Sequence, residues 1–163
     1  MVVLFAGSVQ AEPLARTFNL RMSAHDLQRA GNSLPIWIDI SLRENILRIH
    51  WGDVVTDELP IATGSSATPT PVGTFRVLDM QEEPIWQSPF YPDVTYRGGD
   101  RRNPLGARWI EFKQAGVNAY GIHGTSDPAS IGRAVTNGCI RLHNDDVAYL
   151  FEQVEEGTPI VIH

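Results

Sequence analysis

At position 34 the apolar pattern of this chain changes to a period of two, and that change limits the fold more than any other feature. Ile36, Ile38 and Ile40 alternate with Trp37 and Asp39, the pattern of a strand with one polar face. Segments 46–51 and 58–62 read as its neighbours, joined by charged turns at Arg43-Glu44-Asn45 and Gly52-Asp53. Further strands are predicted at 74–78, 109–112, 119–123, 139–142 and 158–162. Late in the chain one stretch switches to helical spacing, with Val147, Leu150, Phe151 and Val154 at i, i+3, i+4 and i+7. Asn144 is its predicted cap, Asp145 and Asp146 lie near the positive end of its dipole, and Gly157 ends it. Short strands at close spacing with one such helix predict a mainly β domain of sandwich or barrel type.

Two connections stand out. Residues 64–73 are rich in Ser, Thr and Pro but too short for an interdomain linker, so they read as a long hairpin loop. Residues 80–105 form the longest irregular stretch, with the aromatics Trp86, Phe90, Tyr91 and Tyr96. Loops of that length are usually functional or mobile. On the residues alone, the aromatics pin the loop to the domain.

At 163 residues the chain is long enough for one domain with a substantial core, predicted at 34–163. A formal charge of −6 argues against a nucleic-acid partner, which favours a basic face. No 18-residue apolar run is present to serve as a membrane-spanning helix. Residues 1–33 read as an extension. Its Ser8-Val9-Gln10-Ala11 sequence resembles the tail of a secretory signal cleaved after Ala11, without the charged leader, or else a short apolar arm. Leu14, Phe18, Met22 and Leu27 then line one side of a predicted helix, and Gly31-Asn32-Ser33 breaks it.

The chemistry concentrates in residues 120–144, which hold the only cysteine, Cys139, and His123 in a His-Gly-Thr turn. One thiol and one imidazole suffice for nucleophilic acyl transfer: the ring takes the thiol proton, sulfur attacks a carbonyl, and the imidazolium protonates the leaving amine. An unperturbed thiol, with a pKa of roughly 8.5, needs a positive neighbour to ionise near neutrality. Gly138 lets main-chain N–H groups approach a substrate oxygen, so Asn137, Gly138 and Cys139 are candidate oxyanion donors. Arg141, two positions beyond Cys139, shares its face on a strand. It either clamps a substrate carboxylate or pairs with Asp145 or Asp146. Arg97, Arg101, Arg102 and Arg108 are either further anion contacts or a solvated charged loop. His143 with His123 invites a metal reading, but neither a carboxylate nor a second cysteine completes a zinc set, and no metal is expected. Taken alone, Cys139 reads equally as a buried structural thiol and His123 as a core histidine.

The ordered pattern His123-Gly124-Thr125, Ile131-Gly132 and Thr136-Asn137-Gly138-Cys139-Ile140-Arg141 resembles the signature of the L,D-transpeptidase catalytic domain, the YkuD-type fold. Ala62-Thr63-Gly64 with 68–75 is similar to the family's hairpin, Asn103-Pro104-Leu105-Gly106 to its central loop, and Gly157-Thr158-Pro159-Ile160 to its closing strand. The likeness covers 34–163. It implies a YkuD-type β-sandwich or barrel, with Cys139 as nucleophile, His123 as base and acid, and the Gly124 carbonyl as acceptor for the histidine. It places Thr136 as support for the turn or the base, and Thr125, Arg141, Trp86 and Tyr96 at the substrate, the last two on a flap over the site. Asn137 departs from the pattern, since many members carry histidine there. The implied reaction needs no cofactor. A peptidoglycan tetrapeptide stem loses its terminal D-Ala to form a thioester on a diamino acid, and an amine of another stem or of a lipoprotein takes the acyl group. Carbapenems should acylate Cys139 likewise. Water as acceptor would give a carboxypeptidase or hydrolase, and loss of chemistry a wall-binding module. The family also implies export to the periplasm or envelope.

Overall fold

A computed structural model describes residues 35–89, 91–116 and 118–163. The readings of a signal remnant at 1–11 and of a helix at 14–30 lie outside the described residues. In chain order the strands are β1 (Ile36–Ser41), β2 (Ile46–Trp51), β3 (Val54–Pro60), β4 (Thr63–Gly64), β5 (Gly73–Arg76), β6 (Asp79–Glu82), β7 (Trp86–Gln87) and β8 (Thr95–Tyr96). They continue with β9 (Arg108–Ala115), β10 (Asn118–His123), β11 (Ala134–Thr136) and β12 (Ile140–Arg141), then helix α1 (Asn144–Gln153) and β13 (Pro159–Ile162).

Two main sheets result, one ordered β3-β2-β1-β13-β5 and the other β12-β10-β9-β6. The alternation seen in the sequence decides which faces meet. Ile38, Ile40, Leu47, Ile49, Ile160 and Ile162 point inward from the first sheet, and Ile110, Phe112, Ile122 and Ile140 from the second. Together with Val147 and Leu150 of α1 they form one buried cluster. Both sheets keep free ends in their strand order, so the molecule is an open sandwich and the barrel half of the expectation is corrected.

Three local expectations are also corrected. β3 starts at Val54, ahead of the predicted 58–62, because Gly52 takes a positive φ of 57° and returns the chain at once onto β2. Residues 80–105 are not wholly irregular, since β6 forms the edge of the second sheet and β7 and β8 make a small hairpin. The helix is preceded by His143 at its cap position, without a side-chain cap bond, and gives way at Val154 before Gly157 is reached.

Candidate active site

His123 closes β10, and Cys139 immediately precedes β12. The two strands pair in parallel, with Ile122 opposite Ile140 and His123 opposite Arg141. One step back, that register sets Cys139 beside Gly121. Alternate residues return to one face, so Ile122 and Ile140 enter the core while Gly121, His123, Cys139 and Arg141 share the other side. Cys139 and His123 are thus diagonal neighbours. The pairing thus brings the thiol and the imidazole onto one face of the sheet, one residue out of step across the β10–β12 ladder.

The cross-strand neighbour Gly121 is there for space. A β-carbon on it would lie 2.5 Å from Cη2 of Trp109, whose ring covers this position and stacks on His123 at 5.7 Å between centroids. Trp109 therefore walls the imidazole, a role the sequence analysis missed. The visible signal was an aromatic residue in a predicted strand that pairs with the one ending at His123.

His123 is 4% exposed. Its Nδ1 lies 2.7 Å from the carbonyl oxygen of Gly124. That oxygen can only accept, so Nδ1 carries the proton and Nε2 is left bare. Burial lowers the His123 pKa to about 4, opposed by the Gly124 bond and reinforced by the positive charge of Arg141. The thiol of Cys139 is half-buried, and burial raises its pKa, with a backbone bond from Gly121 and the Arg141 charge pulling it down. Sγ donates a long hydrogen bond of 3.9 Å to the Ala119 carbonyl. The resting site is accordingly a neutral thiol beside a neutral imidazole. Arg141 is the positive neighbour that the sequence asked for, but desolvation outweighs it.

The loop leading to Cys139 is clipped by one hydroxyl. Thr136 Oγ1 donates to the Cys139 carbonyl at 2.5 Å and accepts the Gly138 N–H at 3.1 Å. The Thr136 carbonyl in turn accepts the Ser65 N–H and the Thr68 hydroxyl, which ties this loop to the hairpin after β4. Gly138 has a φ of 110°, and a β-carbon there would meet the Tyr120 ring at 2.7 Å. Asn137 is exposed and His143 likewise. Among the described residues no cluster of three or more His, Cys, Asp or Glu is placed to hold a metal ion.

Arg141 is half-buried, and its Nε is enclosed without a hydrogen-bond partner. Among the described residues it makes no ion pair with Asp145 or Asp146. Trp86 and Tyr96 face one another across the β7–β8 hairpin, stacked at 5.6 Å, with Arg102 over the Tyr96 ring. They pin the 80–105 loop to itself. Arg102 also pairs with Asp100, and Arg108 with Glu82. Buried Asn103 fastens the base of the loop through its side-chain bonds to the Pro84 carbonyl and the Leu105 N–H. Thr125 is buried, and its main chain is gripped by Asn144: Oδ1 accepts the Thr125 N–H at 3.1 Å and Nδ2 donates to the Thr125 carbonyl at 2.9 Å. Asn144 was expected to cap α1; its side chain reaches across to the turn after His123 instead.

A β-sandwich that sets one thiol, one bare imidazole nitrogen and one guanidinium on a single sheet face has the layout of a thiol-dependent acyl-transfer domain. Residues 35–162 match the model of the L,D-transpeptidase catalytic domain, YkuD. YqjB of Bacillus subtilis strain 168, which bears an L,D-transpeptidase name, is 39% identical over 128 residues, covering 77% of this chain and 70% of its own length. YkuD of the same strain is 37% identical over 131 residues, 80% of this chain and 68% of that one. Among solved structures, L,D-transpeptidase 3 of Mycobacterium tuberculosis with a faropenem-derived adduct superposes with a TM-score of 0.64 at 19% identity, over 78% of this chain and 60% of that one. The catalytic domain of the Enterococcus faecium L,D-transpeptidase gives 0.61 at 24% identity, over 80% and 98%. The chain belongs to the L,D-transpeptidase (YkuD) family.

Proposed function

We propose that this chain is a peptidoglycan L,D-transpeptidase with Cys139 as nucleophile and His123 as its base. The stem peptide enters with its third residue, a diamino acid, at Cys139. As sulfur attacks that residue's carbonyl carbon, Nε2 of His123 takes the thiol proton. Main-chain N–H groups of the 137–139 loop hold the developing oxyanion. The Gly138 N–H is already engaged by Thr136, so this task falls chiefly to the N–H groups of Asn137 and Cys139. The imidazolium then protonates the departing D-Ala amine, and the thioester stays on sulfur. An incoming amine of another stem, deprotonated by the same ring, reverses the sequence, releases the thiol and leaves a 3→3 cross-link.

Arg141 is assigned to a carboxylate of the stem, because its guanidinium borders both reacting groups and no carboxylate of the described chain occupies it. Thr125, Trp86 and Tyr96 complete the substrate groove in this reading. A lipoprotein lysine is the alternative acceptor. The activity is that of an exported protein working at the wall. No helix among the described residues is long and apolar enough to cross a membrane, so anchoring is not assigned to them.

The observation that carries the reading is the tautomer: the Gly124 carbonyl keeps the proton on Nδ1 and leaves Nε2 able to take one, on a residue that shares its sheet face with Cys139. The test is intact-mass spectrometry after mixing with a tetrapeptide stem. An adduct equal to the stem less D-Ala is expected on the wild type and absent from Cys139→Ala. Equal turnover by both proteins would reject the mechanism. The similar solved structures in complex with a faropenem-derived adduct and with imipenem make a carbapenem the matching covalent probe.

A further inference from the structure

We propose that Asn144 is a positioning residue that fixes the tautomer and aim of His123 through a single peptide group. This rests on the acyl-transfer reading for its consequence, while its geometry stands without it.

The peptide linking Gly124 to Thr125 is planar and trans, so its C=O and N–H point to opposite sides. On one side the Gly124 oxygen accepts the proton of His123 Nδ1. On the other the Thr125 N–H donates to Asn144 Oδ1 at 3.1 Å. Rotation of this plane would move both ends together. Asn144 holds one end, and its Nδ2 bond to the Thr125 carbonyl fixes the amide's own orientation. Oδ1 also accepts the Ala107 N–H at 3.3 Å, tying the turn to the strand entering β9. A peptide whose N–H is engaged is a stronger acceptor at its oxygen, so the two bonds support one another.

Two glycines are shaped around this amide. A β-carbon on Gly124 or on Gly106 would come within 2.1 Å of Asn144 Oδ1. The turn after His123 and the loop before β9 thus both give up side chains at the place where Asn144 enters. Asn144 itself is exposed and adds no apolar burial, so its absence should leave the core intact. Without it the Gly124–Thr125 plane can swing, the Nδ1 acceptor weakens, and His123 samples the tautomer whose protonated Nε2 cannot take the thiol proton.

The test pairs a spectroscopic readout with a kinetic one on the full chain. In long-range ¹H–¹⁵N spectra the wild type should show His123 protonated at Nδ1 alone, and Asn144→Ala a mixture of both tautomers. Acylation of Asn144→Ala by a carbapenem should slow by roughly tenfold to a hundredfold, the scale of a small misplacement in an active site. Its melting temperature should fall only by the few degrees that the lost Thr125 and Ala107 bonds account for, with a cooperative transition retained. Asn144→Asp keeps the acceptor oxygen but sets a second oxygen against the Thr125 carbonyl in place of Nδ2, so it should restore the single tautomer and the rate in part, ranking between the wild type and Asn144→Ala. An Asn144→Ala protein with one unchanged tautomer, or with the wild-type rate, overturns the proposal. So does an Asn144→Asp protein no better than Asn144→Ala. Failure of the wild type to be acylated would sink the functional reading alone, since the tautomer measurement does not depend on it.

Discussion

Arg141 stands directly opposite His123 across the parallel pairing of β10 and β12, and its charge lowers the pKa of both the histidine and Cys139. The same guanidinium therefore disfavours the imidazolium and favours the thiolate. It keeps the base free and eases ionisation of sulfur, yet the pair stays neutral at rest because burial dominates at each group.

Replacement of Arg141 by methionine should separate substrate binding from the chemistry. A charge-assisted bond to a substrate carboxylate is worth about 1.5–3 kcal/mol, which corresponds to roughly a tenfold to hundredfold rise in KM for the stem peptide. An uncharged thiol reagent does not use that bond, and its rate should change much less. Equal losses with both reagents would show that Arg141 acts on sulfur and not on substrate.

The neutral pair predicts a distinctive pH profile. Below a pH of about 4 His123 takes a proton and the base is lost, so acylation should hold up well below the ordinary imidazole range. Cys139 ionises only above the usual thiol range, so alkylation by iodoacetamide should climb with pH beyond the point where free cysteine levels off. A stable thiolate–imidazolium pair would instead alkylate rapidly in mild acid. Measuring both rates from acid to alkaline pH decides between them.

Much of the domain was legible because its signals are local. The inward isoleucines of β1, β2 and β13 follow the period of two, and the Val147–Leu150 stripe follows the helical one. β3 was placed late because Val54 and Val55 are 61% and 43% exposed and carry no alternation. The hairpin of β7 and β8 hides in a proline-rich stretch whose pairing rests on Trp86 meeting Tyr96. The register that sets Cys139 beside Gly121 is non-local, fixed across the intervening turn and β11, and no spacing in the chain announces it. Asn144 was misread for a physical reason. An asparagine at a helix start ordinarily spends its oxygen on the helix N–H groups. Here two bare glycines open a path to Thr125 instead.

Folding stability should fall in acid through His123. Its imidazole binds a proton near the ordinary 6.5 in the unfolded chain but only near 4 when folded. Between those values the unfolded state holds more protons, so stability is present above about 6.5 and is lost as pH drops toward 4. The full effect is on the order of 3 kcal/mol. His50, stacked on Trp37 and lowered chiefly by burial, adds in the same direction. Urea denaturation at pH 7 and again in mild acid measures the slope, and His123→Gln should flatten it. An unchanged slope in that variant would place the acid sensitivity elsewhere.

Gly138→Ala tests the loop that presents the nucleophile. With φ at 110°, Gly138 occupies backbone space that side-chain-bearing residues rarely adopt, and a methyl group there has only 2.7 Å to the Tyr120 ring. The substitution must push the 137–139 main chain away from Tyr120 and break the Gly138 N–H bond to Thr136. Displacing the Asn137 or Cys139 N–H from the oxyanion costs about 2.7–4 kcal/mol of barrier, so acylation should drop by roughly a hundredfold to a thousandfold. Thr136→Val removes the hydroxyl clip but leaves the glycine conformation free. It should lose about 1 kcal/mol of stability and a smaller share of the rate. Paired acylation and melting measurements order the two variants, and a Thr136→Val protein as inactive as Gly138→Ala would shift the main constraint from the glycine backbone to the hydroxyl.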